Sequence, residues 1–311
     1  MRNLRGFAVA DDSPESVAGA IERLACALEE ADAVAIGAGA GLSTSAGMVY
    51  DGDRFHTYFD DFETKYGFTD MYSGGFTRFE TPEEQWAFWS RMIAMNRLVK
   101  APGTAYTDLF ELVKDKDYFV ITTNVDHQFQ LSGFDKQRLF YTQGDYGLLQ
   151  CPLPCHRSTY ENEDAVRAML AAQGYTFAED GTLTPPDDRE PAMAVPTDLL
   201  PTCPKCGRPM AMNLRIDDTF VEDEGWRAAS KRYADYLFAH RSGKVVYLEL
   251  GVGMNTPGII KYPFWRYAGA NKHATFACIN LGMAAAPEEI ADQCILIDAD
   301  IQQTLAKLLE R

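Results

Sequence analysis

Two close cysteine pairs, Cys151 with Cys155 and Cys203 with Cys206, stand out among the seven cysteines because their spacing suits a metal ion better than disulfides. The second pair lies in Cys203-Pro204-Lys205-Cys206-Gly207, the shape of a zinc-ribbon knuckle. Four thiolates fill a tetrahedral shell and leave no open position, so the expected zinc is structural, clamping a segment with too small a core of its own. The gap between the pairs is long for a ribbon, and His156 beside Cys155 is an alternative fourth ligand. Cys26, Cys278 and Cys294 fall in apolar helix or strand patterns and read as small core residues.

A second cluster is backbone rather than side chain. The short apolar run from Ala31 to Ile36 breaks at Gly37, Gly39 and Gly41, and Ser43-Thr44-Ser45-Ala46-Gly47 follows. Glycines at such a turn let the chain approach a pyrophosphate while the next helix aims its N-terminus at the charge. The alternating spacing differs from the dehydrogenase fingerprint, so by itself it is weak evidence and leaves a plain tight turn as the lesser alternative.

The elements that must hold these residues are readable from periodicity. Ser13-Pro14 starts a helix with Val17, Ile21, Leu24 and Leu28 on one face. Apolar runs at 118–121, 139–141, 244–250, 274–279 and 294–297 resemble the strand before the glycines. The expected fold class is α/β: a Rossmann-like parallel sheet with helices on both faces, plus a smaller zinc-binding and helical domain. Residues 1–47, 101–144 and 244–311 are assigned to the Rossmann-like NAD-binding domain. Residues 48–100 form a helical lid insert, with a helix from Pro82 to Val99 that carries Trp86, Phe88, Trp89, Ile93 and Leu98. Residues 145–243 form a zinc-binding insert with its following helix, including the proline-rich acidic stretch Pro185 to Pro201, read as a surface loop.

The formal charge of −16 over 311 residues argues against nucleic acid and anionic membrane as partners. No run of about 18 apolar residues offers a membrane span, and no apolar core follows Met1 to Arg5, so the expected location is cytoplasmic.

Taken in order, Gly39-Ala40-Gly41-Leu42-Ser43-Thr44-Ser45-Ala46-Gly47, Thr122-Thr123-Asn124-Val125-Asp126, the cysteine pairs, Gly251-Val252-Gly253-Met254-Asn255 and Ile279-Asn280-Leu281 resemble the motifs of sirtuins. The resemblance spans about Ala31 to Asp300. It implies NAD as cosubstrate, with Gly39, Ala40, Gly41, Ser43, Gly251, Gly253, Asn255, Asn280 and Leu281 as contacts, and Asn124 and Asp126 at the nicotinamide end. Three departures matter. Gln143, in Tyr141-Thr142-Gln143-Gly144-Asp145, stands where sirtuins keep a histidine base, and a neutral amide cannot titrate near pH 7. Thr123 replaces a glutamine, and Val49 to Phe55 replaces a Pro-Asp-Phe-Arg stretch, leaving Arg54 as a shifted candidate for the nicotinamide or phosphate side.

These departures resemble the macrodomain-linked, class M sirtuins of microbes. That likeness implies a protein ADP-ribosyltransferase, with a lipoyl-carrier protein of glycine-cleavage type as acceptor and a macrodomain protein as a further partner. Breaking the nicotinamide bond with oxocarbenium character needs grip, shielding and room for the leaving amide more than a strong base. Asn124 is expected to orient the ribose or an attacking group, Asp126 the carboxamide, and Gln143 a ribose hydroxyl. Asp145 either steers or deprotonates an acceptor or caps the start of the insert, and His127 either lies near the nicotinamide pocket or, as is more frequent, is a helix-start histidine bonded to backbone. The rival functions are a deacylase or delipoylase, simple NAD hydrolysis, and a sensor of NAD or ADP-ribose without turnover.

Overall fold

The six apolar runs pair as one parallel sheet in the order Cys294–Ile297, Thr275–Ile279, Val245–Leu250, Ala33–Ala38, Tyr118–Thr122, Leu139–Tyr141. The computed structural model describes residues 6–311, and the first five residues, read above for a leader, lie outside them. From Ala33–Ala38 the chain winds outward to Leu139–Tyr141, then returns to Val245–Leu250 and winds the other way. The order therefore reverses between Ala33–Ala38 and Val245–Leu250, and ligands of doubly wound sheets bind at such a switch point. Both central strands are buried along their whole length, which explains their unbroken apolar runs.

Alternation across the strands feeds two cores. Val34, Ile36 and Leu248 pack against helices Pro14–Glu30, Ala105–Val113 and Ile301–Leu309, while Ala35 and Tyr247 face Lys261–Ala270 and Glu224–Ala239. The helix Glu224–Ala239, grouped above with the zinc insert, thus covers the sheet through Trp226, Ala229 and Tyr233. In Pro14–Glu30 the Ser13 hydroxyl caps Ser16 N–H, and Ile21, Leu24 and Leu28 are buried as the spacing requires. Cys26 sits on the opposite side and is exposed, so the expectation of a core cysteine fails there; Cys278 is buried and Cys294 half-buried.

The two inserts share one core. Phe55, Phe59, Phe62 and Phe88 from the first pack with Tyr146, Leu149, Val166 and Met169 from the second. At its centre Arg91, fully buried, donates to Tyr58 O, Asp61 Oδ1, Gln173 Oε1 and Ala192 O. The proline-rich stretch is the expected surface loop, anchored at one point where Val195 is buried and its N–H reaches Glu83 O. The helix expected to run from Pro82 to Val99 is α-helical only over Pro82–Ile93 and widens to a π turn over Ala94–Leu98, with Val99 N–H on Ala94 O.

At the switch point Gly39 N–H bonds Leu250 O and Gly41 N–H bonds Gly251 O, both at 3.0 Å. A Cβ on Gly41 would lie 2.6 Å from Gly251 Cα, and one on Gly39 2.7 Å from Gly251 O. These glycines exist so that two backbones can touch. Gly41→Ala is expected to lose about 1–3 kcal/mol of stability by overpacking, read as a lower Tm, whereas Gly253→Ala, whose Cβ meets nothing within 4 Å, should leave Tm unchanged.

Candidate dinucleotide site and cysteine centre

Strands Ala33–Ala38, Tyr118–Thr122 and Leu139–Tyr141 end at the same edge of the sheet and deliver the three sequence motifs there. Ser43 Oγ donates to Asp126 Oδ2 at 2.6 Å, and Asn124 Nδ2 donates to Gly39 O and Ser43 Oγ, both at 3.0 Å. The buried Tyr106 hydroxyl completes the knot, 2.9 Å from Ser43 Oγ and 3.3 Å from Asp126 Oδ2. Gln128 N–H caps the other carboxylate oxygen of Asp126 at 3.1 Å. Burial pushes the Asp126 carboxyl up despite these donors, and pushes the Tyr106 phenol well up.

Tyr106 is a site residue that periodicity hid. With Leu109 and Val113 it lies on the buried face of Ala105–Val113, and it reads as core until its hydroxyl is seen. Tyr50 and Tyr146, bonded hydroxyl to hydroxyl at 3.1 Å, were missed in the same way. Burial raises both phenols.

Gln143 lines an apolar cavity of about 520 Å³ between the helical insert and the zinc module, together with Trp86, Trp89, Val125, Tyr146 and Met212. Its carbonyl accepts from Arg215 N–H at 2.9 Å, and no side-chain hydrogen bond engages its amide among the described residues. Asp145 caps the start of the insert, its Oδ1 accepting from Gly147 N–H two residues on. It lies in the strand Gly144–Gln150, buried, and accepts from Arg97 Nε at 2.7 Å, His127 Nδ1 at 2.8 Å and Gly147 N–H at 2.7 Å. Burial works against its charge, yet the His127 bond and the Arg97 charge hold the carboxyl below the usual range. His127 does start the helix Gln128–Leu131, but in the left-handed region at φ 64°, which costs a side chain about 1–2 kcal/mol.

Arg54 spends its donors inside its own insert, on Val49 O, Asn96 Oδ1 and Met95 O. Beside the switch point Asn280 Nδ2 holds Val252 O at 3.1 Å, while Gly253, Asn255, Ala40 and Leu281 are exposed. Gly253 has no packing reason to lack a Cβ, so the open backbone there is room that a dinucleotide can occupy.

The four cysteine sulfurs lie within 4.8 Å of one another, with Cys151 to Cys206 and Cys155 to Cys203 both at 3.7 Å. A tetrahedron with Zn–S bonds of about 2.3 Å has edges of about 3.8 Å, so the set fits zinc. Gly207 N–H on Cys203 O at 2.8 Å forms the expected knuckle. His156 stands outside the four, its ring between Cys155 Sγ and the Tyr160 hydroxyl, and is not needed as a ligand.

No family model matches the chain. A protein ADP-ribosyltransferase of Staphylococcus aureus (strain Mu50 / ATCC 700699) is 38% identical over 289 residues, covering 93% of this chain and 86% of that protein. A probable bifunctional ADP-ribose hydrolase/ADP-ribosyltransferase of Fusarium oxysporum f. sp. cubense is 32% identical over 249 residues; the match covers 76% of this chain but 38% of that longer protein. Among solved structures, Sir2Tm bound to a propionylated peptide superposes with TM-score 0.55 at 16% identity, over 93% of this chain and 97% of the other. Sir2 with p53 peptide and NAD+ gives 0.54 at 16%, with the same coverage.

Two measurements follow from this geometry. Asp126 has a raised folded pKa, so its contribution to stability is fully present below the unfolded pKa of about 3.9 and is lost as pH rises through the folded value. Asp126→Asn should therefore match or exceed the wild-type Tm at pH 7–8, with the gap closing toward pH 4, while nicotinamide release falls by about 100-fold or more. Cys203→Ser should bind less than half the wild-type zinc by elemental analysis and lose several kcal/mol of stability (about 3 or more).

Proposed function

The chain belongs to the protein ADP-ribosyltransferases built on the sirtuin fold, and from that premise we propose that it cleaves the nicotinamide–ribose bond of NAD and transfers ADP-ribose to a lipoyl-carrier protein. The observation that carries this reading is Gln143: an amide without an internal partner, on the wall of a large apolar cavity, at the strand edge that also presents Asn124 and Asp126.

Asn124 and Asp126 grip the nicotinamide end, their side chains already fixed by Ser43 and Tyr106, so little reorganisation accompanies the reaction. Gln143 hydrogen-bonds a ribose hydroxyl without removing its proton. A deacylase needs that proton removed so that a trapped acyl group can move; a transferase needs only that the acceptor's nucleophile reach the anomeric carbon as the bond to nicotinamide breaks and its electron pair leaves with the amide. The glycine edge at Gly39, Gly41, Gly251 and Gly253 accommodates the diphosphate and adenosine, and the zinc remains structural.

The acceptor follows from the cavity. Trp86, Trp89, Met92, Met210 and Met212 make it apolar and adaptable, suited to an acyl chain ending in a disulfide ring rather than to a charged lysine side chain. A macrodomain-type hydrolase that removes the modification is the proposed second partner, since the longer Fusarium relative is a probable bifunctional ADP-ribose hydrolase and ADP-ribosyltransferase.

Labelled NAD incubated with lipoylated carrier, unlipoylated carrier, acylated peptide and buffer alone tests the reading. Label on the lipoylated carrier is the expected result. Acylated ADP-ribose would identify a deacylase, free ADP-ribose in every arm a hydrolase, and intact NAD throughout a sensor. Asn124→Ala should abolish labelling while leaving the circular dichroism spectrum and Tm in place; near-normal labelling by the folded variant would remove the role given to that side chain.

A further inference from the structure

We propose that His127, acting through Asp145, is a positioning residue that sets the separation between Asn124 and Gln143, and hence the rate of the chemical step. The inference rests on the transferase reading above. His127 is the only residue other than glycine with a positive φ among the described residues, and eleven glycines account for the rest. It follows Asp126 directly, and its Nδ1 lies 2.8 Å from Asp145 Oδ2. Asp145 stands two residues beyond Gln143. The imidazole and carboxylate thus join the turn that bears Asn124 and Asp126 to the strand that begins behind Gln143. One backbone bond, Tyr146 N–H to Val125 O at 2.9 Å, runs alongside.

The rest of the surroundings is built for this bridge. Arg97 leaves the π turn Ala94–Leu98 and lies across the strand to reach Asp145 Oδ1. A Cβ at Gly147 would come 2.0 Å from Arg97 Nε, so the strand is bare at that point to admit the guanidinium. Glu163 stands 3.9 Å from Arg97 Nη1 on the outer side. A left-handed side chain, a widened helical turn and a side-chain-free strand position therefore converge on one buried carboxylate. An apolar contact would hold the same elements together without burying charge, so fold stability alone does not account for the arrangement. Strained backbone and π turns concentrate where geometry serves a reaction, and an error of about 1 Å in reacting groups costs about 100-fold in rate.

His127→Gly separates this role from a structural one. Glycine relieves the left-handed strain, and Asp145 keeps Arg97 and the Gly147 N–H as partners, so the variant should fold with an equal or higher Tm. Its KM for NAD should stay within about threefold, while kcat for nicotinamide release falls at least about tenfold. Asp145→Asn is expected to lower kcat by a similar factor, and the double variant should be no slower than the worse single one, because both changes cut the same bridge. Wild-type-like kcat in folded His127→Gly overturns the inference, as does a loss confined to KM or additive losses in the double variant. A wild-type protein that neither transfers ADP-ribose nor releases nicotinamide would instead overturn the functional reading, and the inference with it.

Discussion

Everything at the site depends on how closely two loops pass at the point where the sheet reverses direction. Gly39 and Gly41 touch the backbone of Gly251 with no side chain between them. That contact fixes the turn from which Ser43 descends, and Gly39 O also accepts from Asn124 Nδ2. The glycine turn thus does more than bend the chain: its carbonyl helps to orient the Asn124 side chain, which also meets Ser43. Of the three alternating glycines, which depart from the dehydrogenase spacing, Gly39 and Gly41 have their cause in this loop-to-loop packing and Gly37 in the close approach of Ile260 and Phe264.

Around that contact the protein spends stability on polarity. Asp126 is buried among hydroxyls with its carboxyl pushed up, and Asp145 is buried beside Arg97 and His127 with its carboxyl held down. The two carboxylates are nineteen positions apart in sequence and meet opposite fates because their partners differ: neutral hydroxyls and an amide around the first, the Arg97 guanidinium and the His127 ring around the second. The cysteine centre plays no part in this polar network. It braces the wall of the apolar cavity through Met210 and Met212, which follow the second knuckle.

The sheet was legible because each strand is a short apolar run and strand order is restricted once alternating strands and helices are recognised; all six runs were found in sequence. The cysteine centre was legible because thiolate spacing is local. What sequence patterns concealed was long-range. Tyr106 and Tyr146 carry polar tips on bodies that pattern as core, and Arg91 and Arg97 read as surface charges in a helix although they are buried or nearly so. The side-chain partners of Asp145 were hidden because they come from residues 97 and 127. The joining of the two inserts was likewise invisible, since one reads as a helical lid and the other as a separate zinc-binding module.

That joint core also dictates when the chain can finish folding. Arg91 finds Tyr58 O and Asp61 Oδ1 earlier in the chain but must wait for Gln173 and Ala192, some eighty to one hundred positions later in synthesis, before its guanidinium has its full set of partners. During translation the phenylalanine-rich segment therefore emerges with its apolar face uncovered while two strands of the main sheet are still being made. Such a delay exposes nascent chains to aggregation and makes the helical segment a natural client for chaperones.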